Sequence, residues 1–488
     1  MLVHQLIAQG NPVRPAFTGR ESISYSQLAR QVEHYRNFFY QSGVREGDNV
    51  GLFSRNSPEY VYSYLAIASL GAVVVPLNFQ LTTREIAYIV ADAEMKIMVT
   101  TTAMDLPVKQ LILSEFKDTV TAAGENAPQL PDNWDDTNPC VIIYTSGTTG
   151  HPKGAVLTHK NLISNAQAFG QVLPVTAADN VLCVLPMYHC FAWTCAVLQP
   201  LLCGASITIL DAFAPKETLV AIKEYGVTVM YGVPPMYNLL SRMGEKHDMA
   251  GVKFFISGGA SLPEQVARQF QEKYGKTVIE GYGLSEASPV VTLNPIDQPR
   301  FCSIGKALPG LTVQVVGPKG EVLPPGSVGE LTVKGPSVMT GYFNLPLETA
   351  RALHGNWLHT GDLAYRDTEG YFYIVDRLKD MIIANGENIY PREIEELLYA
   401  YPGITEAAVI GVPDALRGQA PRAYLVFAEG HTFNKKALRE YLQANLAAYK
   451  IPRDYIVLDA LPKNQTGKIL KRVLREQAGS IQDDERAV

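Results

Sequence analysis

The sequence predicts an α/β protein with a smaller α+β unit at its carboxyl end, and three observations lead to this prediction. Up to about residue 300, apolar strand-like runs alternate with amphipathic helical segments, as in parallel sheets covered by helices. From Pro309 the chain changes to short β-rich runs separated by Gly- and Pro-containing turns, which predicts a β lobe. The charged segment 376–380 then precedes a unit of about a hundred residues, a normal domain size.

The elements of the alternating region follow in order along the chain. A helix is predicted to begin at Ser24 and to run toward Ser42, and the apolar run 49–53 follows it as a strand. The same pattern continues with predicted helices over 217–226 and 262–274 and predicted strands over 227–230 and 253–257.

Two long apolar segments resemble membrane spans in length. Residues 181–210 contain no Asp, Glu, Lys or Arg, and residues 61–77 are similarly apolar. Gly71 divides the second segment into a helix and a valine-rich strand. The first is interrupted by Pro186, His189, Gln199, Pro200 and Gly204. We therefore expect buried core elements in both places and no transmembrane segment.

The β lobe begins with a predicted hairpin. Residues 313–316 and 321–323 flank a Gly-Pro-Lys-Gly turn, residues 330–333 continue the hairpin, and 371–375 is the expected last strand of a small barrel.

In the C-terminal unit a helix is predicted from Pro391, because proline suits a first helical turn and Ile394, Leu397 and Leu398 give an apolar face. Strands are predicted over 407–412 and 423–427 and a helix over 435–448, whereas the polar residues 481–488 are expected to fray.

Composition restricts the class of protein. At 488 residues the chain is too long for one hydrophobic core. Its net charge of -6 argues against a nucleic-acid-binding protein, which would carry a basic excess. The six cysteines lie in apolar surroundings without a Cys-x-x-Cys pair, and the amino terminus has no signal-peptide pattern. We therefore expect reduced thiols in a cytoplasmic protein.

The most informative motif spans residues 140–154. Its apolar run 141–144 predicts a buried strand, which leads into a segment of glycines and hydroxyl residues with Lys153 close behind. Glycines let backbone N–H groups turn toward a ligand, and a lysine attracts polyphosphate. Pro152 stands where the common P-loop has a glycine, and a second strand-like run follows. The motif predicts a phosphate-binding loop capping a hairpin; a Gly/Thr-rich surface turn is the alternative.

Two further motifs carry side chains suited to a nucleotide. Tyr282, flanked by glycines, offers a flat face for a base, and Glu286 is an oxygen ligand suited to Mg²⁺. Asp362 ends a His-Thr-Gly-Asp segment and can accept two ribose hydroxyl hydrogen bonds. Taken alone, the first motif is typical of a turn and the second of an Asx-turn.

Two lysines stand at positions that favour a functional role. Lys468 follows a Thr-Gly turn, from which it could enter another domain's site and cancel charge on two approaching anions. Lys379 lies in the charged break between the β lobe and the C-terminal unit. The alternatives are a solvated tail lysine and a solvated linker lysine.

These five motifs resemble, in kind and order, those of the adenylate-forming superfamily, which comprises acyl-CoA synthetases, firefly-luciferase-like enzymes and peptide-synthetase adenylation domains. The resemblance covers nearly the whole chain. It implies a large N-terminal domain of two α/β-covered sheets plus a β-barrel lobe, residues 1–377, and a small mobile lid, residues 378–488. It also implies ATP, Mg²⁺ and coenzyme A as cofactors and co-substrate, and it leaves open a homodimer.

The resemblance also assigns roles to individual residues. The catalytic residues are Thr145, His189, Glu286 and Lys468, and the metal ligands among them are Thr145 and Glu286. The hinge is Lys379, and the tunnel for coenzyme A contains Gly386 and Glu387. The nucleotide-binding residues are Thr145, Ser146, Gly147, Thr148, Thr149, Gly150, Lys153, Gly259, Ala260, Gly281, Tyr282, Gly283, Leu284, Ser285, Asp362, Arg377 and Lys468. The acyl pocket contains His189, Trp193, Gly258, Gly259 and Gly281.

The acyl pocket of this superfamily corresponds to segments 186–193, 256–261 and 280–283. None of them contains Arg or Lys, which argues against an acid with a second carboxylate. Trp193 stands four residues after His189, as a gating tryptophan does in some long-chain fatty acyl-CoA synthetases; core packing is the alternative.

The sequence thus predicts an ATP- and Mg²⁺-dependent fatty acid–CoA ligase. An aryl or coumarate-like CoA ligase, a loader of acyl groups onto a carrier protein, and a non-catalytic nucleotide-binding homologue are the alternatives. Intact Lys468, Glu286 and Thr145 argue against the last.

Overall fold

The structure, a computed structural model, describes residues 1–116, 127–131, 133–145, 152–243, 245–384, 386–414, 417–463 and 468–486. Two hydrophobic clusters hold the buried side chains of the large domain, one reaching from Val3 to Phe372 and a smaller one from Phe53 to Ile142. Two others lie wholly within the segment that begins at Ile382. Between Ile374 and Ile382 the chain therefore leaves the hydrophobic core of the large domain and enters that of the C-terminal unit. The predicted domain boundary between residues 377 and 378 stays a prediction.

The elements up to residue 145 are, in chain order, β1 Pro15–Thr18, β2 Ile23–Ser24, α1 Tyr25–Gln41, β3 Asn49–Phe53, α2 Pro58–Ser69, β4 Val73–Pro76, α3 Thr83–Asp92, β5 Ile97–Thr100, β6 Lys109–Ile112, α4 Leu113–Phe116 and β7 Pro139–Thr145. Those from 152 to 307 are β8 Lys153–Thr158, α5 His159–Val172, β9 Asn180–Cys183, a π-helix Ala192–Leu198, α6 Gln199–Cys203, β10 Ser206–Ile209, α7 Pro215–Glu224, β11 Val229–Gly232, α8 Pro234–Arg242, β12 Phe254–Ser257, α9 Glu264–Tyr274, β13 Val278–Gly283, β14 Val290–Leu293 and β15 Lys306–Ala307.

The β lobe and the segment beside it contain β16 Thr312–Val316, β17 Gly329–Lys334, β18 Gly341–Tyr342, α10 Pro346–Ala352, β19 Leu353–His354, β20 Trp357–Arg366 and β21 Phe372–Arg377. The C-terminal unit contains β22 Ile382–Ala384, β23 Glu387–Ile389, α11 Pro391–Ala400, β24 Ile404–Asp414, β25 Gly418–Phe427, α12 Lys435–Asn445, β26 Asp454–Val457 and α13 Lys471–Arg486. Short 3₁₀ turns lie at Val3–Gln9, Lys246–Met249, Ser285–Ala287 and Ala448–Lys450.

Two large sheets organise the first part of the chain, and they confirm the α/β prediction. Among the described residues, one sheet has the strand order β15-β14-β13-β12-β11-β9-β10-β1-β2 and the other β18-β8-β7-β4-β3-β5-β6. Strands β9 to β13 that neighbour one another are parallel, and helices connect them. Because the carboxyl ends of parallel strands meet at one sheet edge, the ends of β12 and β13 are positioned to form a site.

The apolar segment 181–210 forms the predicted strand, loop, helix and strand, here β9, the π-helix with α6, and β10. Its hydrophobic side chains pack into the main core rather than facing outward. In the described part of the chain, no helix is both long and apolar enough for a membrane crossing.

The β lobe differs from the predicted hairpin in one respect. β16 pairs with β17 along five residues, whereas segment 321–323 contributes only a bridge between Val322 and Val316. Pro324 and Pro325 follow that segment, and proline has no N–H to extend a ladder. The lobe expected as a barrel is a five-stranded antiparallel sheet whose pairings follow an open path, β16-β17-β20-β19 with β21 on β20.

The C-terminal unit is a second five-stranded sheet, ordered β23-β22-β25-β24 with β26 on β25. The helix α13 was not predicted, and it includes residues 481–486 of the segment expected to fray; the fraying itself stays a prediction. Leu474 and Ala478 of α13 pack against β24 and β25, and this burial stabilises a helix whose sequence is otherwise polar.

Candidate active site

The predicted phosphate loop connects β7 and β8. The two strands pair antiparallel, which confirms the predicted hairpin, and Thr145 and Lys153 are register partners at the end where the loop joins the strands. The backbone at Gly154 lies close to the Ile142 side chain of β7, because a Cβ atom at this position would lie 2.5 Å from Ile142 Cγ2. The predicted phosphate ligands Ser146, Gly147, Thr148, Thr149 and Gly150 lie outside the described residues.

Three predicted nucleotide-binding side chains meet between β13 and the β lobe. Tyr282 donates a hydrogen bond from its hydroxyl to Asp362 Oδ2 over 2.5 Å, and Arg377 Nε lies 3.1 Å from Asp362 Oδ1. Asp362 and Arg377 are register partners in β20 and β21. Burial, followed by the charge of Asp362, raises the pKa of Tyr282 well above its usual value, so its hydroxyl keeps its proton.

Glu286 lies in a short turn directly after β13, and its carboxylate is held by a residue that the sequence analysis missed. The Tyr342 hydroxyl donates to Glu286 Oε1 over 2.9 Å. The ammonium group of Lys153 lies over the same tyrosine ring, 5.4 Å from its centroid. The sequence contains one weak indication of a role for Tyr342, which is that it follows a glycine, as Tyr282 does.

A resident metal centre does not fit these residues. In the described part of the chain, no group of three His, Cys, Asp or Glu side chains is placed to hold a metal ion. Mg²⁺ that arrives with ATP needs no such group, because it is bound through one or two carboxylates plus substrate phosphates. The Glu286 carboxylate and the Thr145 hydroxyl are donors of the kind that Mg²⁺ prefers.

Lys468 of the C-terminal unit reaches the same region as Asp362 and Arg377. Burial, followed by the charge of Arg377, lowers the pKa of Lys468 to about 8, and Asp362 opposes this change. Burial, followed by the charge of Lys468, lowers the pKa of His189 to about 4. His189 is therefore neutral at physiological pH, and Lys468 lies near enough to affect it from the other unit.

The segments predicted to form the acyl pocket meet at the ends of β12 and β13. A Cβ atom on Gly258 would lie 3.1 Å from the Phe191 ring, so glycine lets this ring approach the backbone. At Gly281, a Cβ atom would lie 3.0 Å from Leu293 Cδ1. Gly259 has a φ of 76°, a conformation that favours glycine, and Ala260 follows it half-buried.

Trp193 belongs to the π-helix and is 3% exposed. Its ring centroid lies 3.9 Å from that of Tyr64 and 5.8 Å from that of Tyr60, both in α2. These contacts suit core packing, and the predicted gating role is not tested by them.

The turn that follows β13 fixes three further residues predicted to bind the nucleotide, Gly283, Leu284 and Ser285. A Cβ atom on Gly283 would lie 2.1 Å from the Pro289 carbonyl oxygen, which accepts from the Leu284 N–H over 3.0 Å. The Ser285 hydroxyl lies 3.2 Å from Cys190 Sγ, the neighbour of His189. These contacts tie the Glu286 turn to the acyl-pocket segment.

The predicted hinge residue lies close to this cluster of side chains, and the predicted coenzyme A residues lie at the turn between β22 and β23. Lys379 is in the connection between β21 and β22, where burial, followed by Arg377, lowers its pKa. Gly386, with a φ of 83°, and Glu387 are exposed beside the turn between β22 and β23. The role of Gly386 and Glu387 stays a prediction.

Comparison with protein families gives two matches. The family described as AMP-binding enzyme matches residues 5–343, and the AMP-binding enzyme C-terminal domain matches residues 393–468. The first match covers the phosphate hairpin and the Tyr282–Glu286 segment, and the second ends at Lys468.

Individual relatives agree over nearly the whole length. The chain is 37% identical to a feruloyl-CoA synthase from Amycolatopsis sp, covering 94% of this chain and 95% of the relative. It is 35% identical to a long-chain-fatty-acid–CoA ligase from Bacillus subtilis (strain 168), covering 95% and 91%.

Among solved structures, ATP-bound MatB from Rhodopseudomonas palustris superposes with a TM-score of 0.91 at 32% identity, covering 99% of this chain and all of that one. Apo MatB, at 33% identity and the same coverage, gives 0.79. The chain therefore belongs to the AMP-binding, adenylate-forming enzyme family and is an AMP-forming acid–thiol ligase.

Proposed function

We propose that this enzyme is a fatty acid–CoA ligase. In the first step, the acid's carboxylate oxygen attacks the α-phosphorus of ATP, and the bond to the bridging oxygen of pyrophosphate breaks. In the second step, the CoA thiol loses its proton and its sulfur attacks the acyl carbon, and AMP leaves. The products are one acyl thioester, one AMP and one pyrophosphate.

The observation that carries the first step is the position of Lys468 beside Asp362 and Arg377. If Asp362 holds the ribose, the α-phosphate lies near that sugar, and a lysine there neutralises both the phosphate and the incoming carboxylate. Such a contact favours the transition state over the separated anions. Mg²⁺, held by Glu286 and Thr145, would supply further charge neutralisation at the phosphates.

An apolar acid fits the proposed pocket best. The Phe191 and Tyr231 rings form an edge-to-face pair with centroids 6.0 Å apart, next to Gly258. The pocket segments 186–193, 256–261 and 280–283 carry no cationic side chain, so a second carboxylate would be buried without a partner. The similarity to the Bacillus subtilis ligase supports an aliphatic chain.

A hydroxycinnamate-like acid is the second candidate. The identity with feruloyl-CoA synthase is slightly higher than that with the fatty-acid enzyme. An aryl ring could pack against the Phe191 and Tyr231 rings, because aromatic rings favour offset or edge-to-face contacts with one another.

The deciding experiment is a panel of acids assayed with ATP, with and without CoA. Fatty acids of increasing length and ring-substituted cinnamates are compared at equal concentration, and AMP, ADP and acyl-CoA are measured. We expect AMP and pyrophosphate, CoA-dependent turnover, and higher kcat/KM for fatty acids than for cinnamates.

The outcomes separate the alternatives. Higher kcat/KM for cinnamates would replace the fatty-acid proposal with the aryl one. Adenylation without CoA-dependent turnover would indicate a carrier-protein acceptor. ADP and acyl phosphate as products would contradict carboxylate adenylation altogether. Lys468→Ala is the control for background hydrolysis.

A further inference from the structure

Tyr342 connects two groups that the proposed function assigns to ATP. Its hydroxyl donates to Glu286 Oε1 over 2.9 Å, and its ring lies beneath the Lys153 ammonium at 5.4 Å. Glu286 is the proposed carboxylate ligand of Mg²⁺, and Lys153 is the proposed phosphate contact. One side chain thus touches both, although β18 is far along the sequence from either.

The backbone around Tyr342 is anchored on both sides. In β18, Gly341 and Tyr342 pair with Val156 and Ala155 of β8, and the Phe343 N–H donates to the Gly154 carbonyl over 2.8 Å. The residues just after the phosphate loop are therefore tied directly to the Tyr342 backbone.

The same segment also holds Glu286 through its main chain. The Met339 N–H donates to the Glu286 carbonyl oxygen over 2.9 Å. The Tyr342 N–H donates to Thr349 Oγ1 over 2.8 Å, which fixes the tyrosine to α10. Glu286 is thus held at two points, its carbonyl and one carboxylate oxygen.

The chemistry of the contact suits a metal ligand. A carboxylate that accepts a hydrogen bond at one oxygen has its rotation fixed, and the other oxygen can bind a cation. Among the described residues, Glu286 Oε2 has no hydrogen-bond or ion-pair partner.

We propose that Tyr342 is a positioning residue for the nucleotide-bound metal. Its hydroxyl fixes the Glu286 carboxylate, and its ring fixes the Lys153 ammonium, so that the metal and phosphate contacts keep one relative position. This inference rests on the proposed function, because it takes Glu286 and Lys153 as contacts of Mg·ATP.

Two substitutions separate the two contacts. Tyr342→Phe removes the hydroxyl and keeps the ring, and Tyr342→Leu removes both. Tyr274→Phe is the matched control. It also removes a buried tyrosine hydroxyl, which donates to the Leu240 and Met243 carbonyls, but Tyr274 belongs to α9 and not to β18. Thermal unfolding of all three variants measures the cost of a lost hydroxyl without reference to the metal.

The main readout is Mn²⁺ binding in the presence of α,β-methylene-ATP, followed by electron paramagnetic resonance and needing no acid substrate. We expect Tyr342→Phe to weaken Mn²⁺ binding by about tenfold, the usual size for a lost hydrogen bond to a metal ligand. Nucleotide affinity in EDTA should be unchanged in Tyr342→Phe and reduced in Tyr342→Leu. Tyr274→Phe should change neither.

Activity provides a second readout. The Mg²⁺ concentration that gives half-maximal ATP–pyrophosphate exchange should rise in Tyr342→Phe, whereas thioester formation from a pre-made acyl-adenylate should keep its rate. If folded Tyr342→Phe binds Mn²⁺ as tightly as wild type, Tyr342 has only a packing role. If wild type binds Mn²⁺ with the nucleotide but adenylates no acid, the proposed function fails and the assignment of Tyr342 stands.

Discussion

At the scale of single residues, Lys468 is buried in the candidate active site, and burial disfavours the charged form of its amine. Lys468 lies with Arg377 and Lys379 nearby, and both lower its pKa, while Asp362 and Asp380 raise it. A lysine in such surroundings is charged mainly because anions are close, and bound ATP would add to them. Lys468 is therefore the residue whose function should depend most on pH.

Replacing Lys468 tests its proposed contact with the reacting anions. Lys468→Ala should lower the adenylation rate on the order of a hundredfold, the usual size for a lost transition-state charge contact. Thioester formation from a pre-made acyl-adenylate should keep its rate, because that step forms no new phosphate bond. Equal losses in both steps would mean that Lys468 is structural or serves both.

The pH profile gives an independent prediction. The protonated amine is the active form, and its pKa in the free enzyme is about 8, so kcat/KM for ATP in adenylation should decline above about pH 8. Lys468→Arg keeps its charge at higher pH, and the decline should move upward or disappear. An unchanged profile in the arginine variant would assign the decline to another group.

Trp193 is the residue for which gating and packing make opposite predictions. If its indole closes the acyl tunnel, Trp193→Ala should change the order of preference among acids of different length without changing KM for ATP. If it only packs against Tyr60 and Tyr64, its loss should cost about 3–5 kcal/mol of stability and lower activity on all acids alike. An acid panel and thermal unfolding decide, with Phe270→Ala, in a separate aromatic cluster, as the packing control.

At the scale of elements, strand β13 carries a buried carboxylate beside the lid helix α11. Glu280 is 4% exposed and accepts from the Leu262 N–H over 3.0 Å. Burial raises the pKa of Glu280 to about 7; Glu396 of α11 adds to this and Arg392 opposes it. The carboxyl is therefore largely protonated in the folded enzyme below neutral pH.

This environment predicts how stability changes with pH. The unfolded glutamate titrates near 4.5 and the folded one near 7, so the folded state binds more protons between these values. The contribution of Glu280 to the free energy of unfolding should be greatest below about pH 4.5. About 3 kcal/mol of this contribution should be lost as pH rises through 7. In Glu280→Gln this loss should be absent.

Denaturant unfolding at pH 5 and pH 8 measures the effect. Glu264→Gln is the matched control, since Glu264 lies in the same region but is only partly buried and pairs with Arg268. A wild-type enzyme and Glu280→Gln variant with the same change between the two pH values would show that the Glu280 carboxyl is solvated.

At the scale of the whole molecule, the chain passes from one unit to the other in the connection between β21 and β22. In this connection the Asp380 and Met381 N–H groups both donate to the Arg377 carbonyl. The Arg475 guanidinium of α13 pairs with Asp380. The hinge at Lys379 stays a prediction, under which a change in the position of the C-terminal unit would need new backbone angles in this connection.

Lys379→Pro tests whether the backbone turns there. Proline fixes φ, so the variant should retain adenylation in the arrangement described here and lose most thioester formation. Lys379→Ala, which removes the charge but not the backbone freedom, should keep both steps. Separate assays of pyrophosphate exchange and acyl-adenylate consumption provide the measurement; thioester synthesis at the wild-type rate in the proline variant would place the hinge elsewhere.

The sequence by itself determined the class of the fold and the kinds of chemistry available. Alternating apolar periodicity specifies helices and strands locally, which is why α1, β3 and the segment 181–210 follow their predictions. The hairpin of β7 and β8 was also predictable, because two apolar runs flank a glycine-rich turn.

Only the tertiary structure decided which side chains meet. Tyr342 lies more than fifty residues from Glu286 in sequence, and no local pattern links the two. β16 pairs along its length with β17, which begins thirteen residues after it ends, and α13 is stabilised by burial of Leu474 and Ala478 against the sheet of the C-terminal unit. Such contacts join residues distant in sequence, and their energies depend on packing and electrostatics that arise only after the chain has folded.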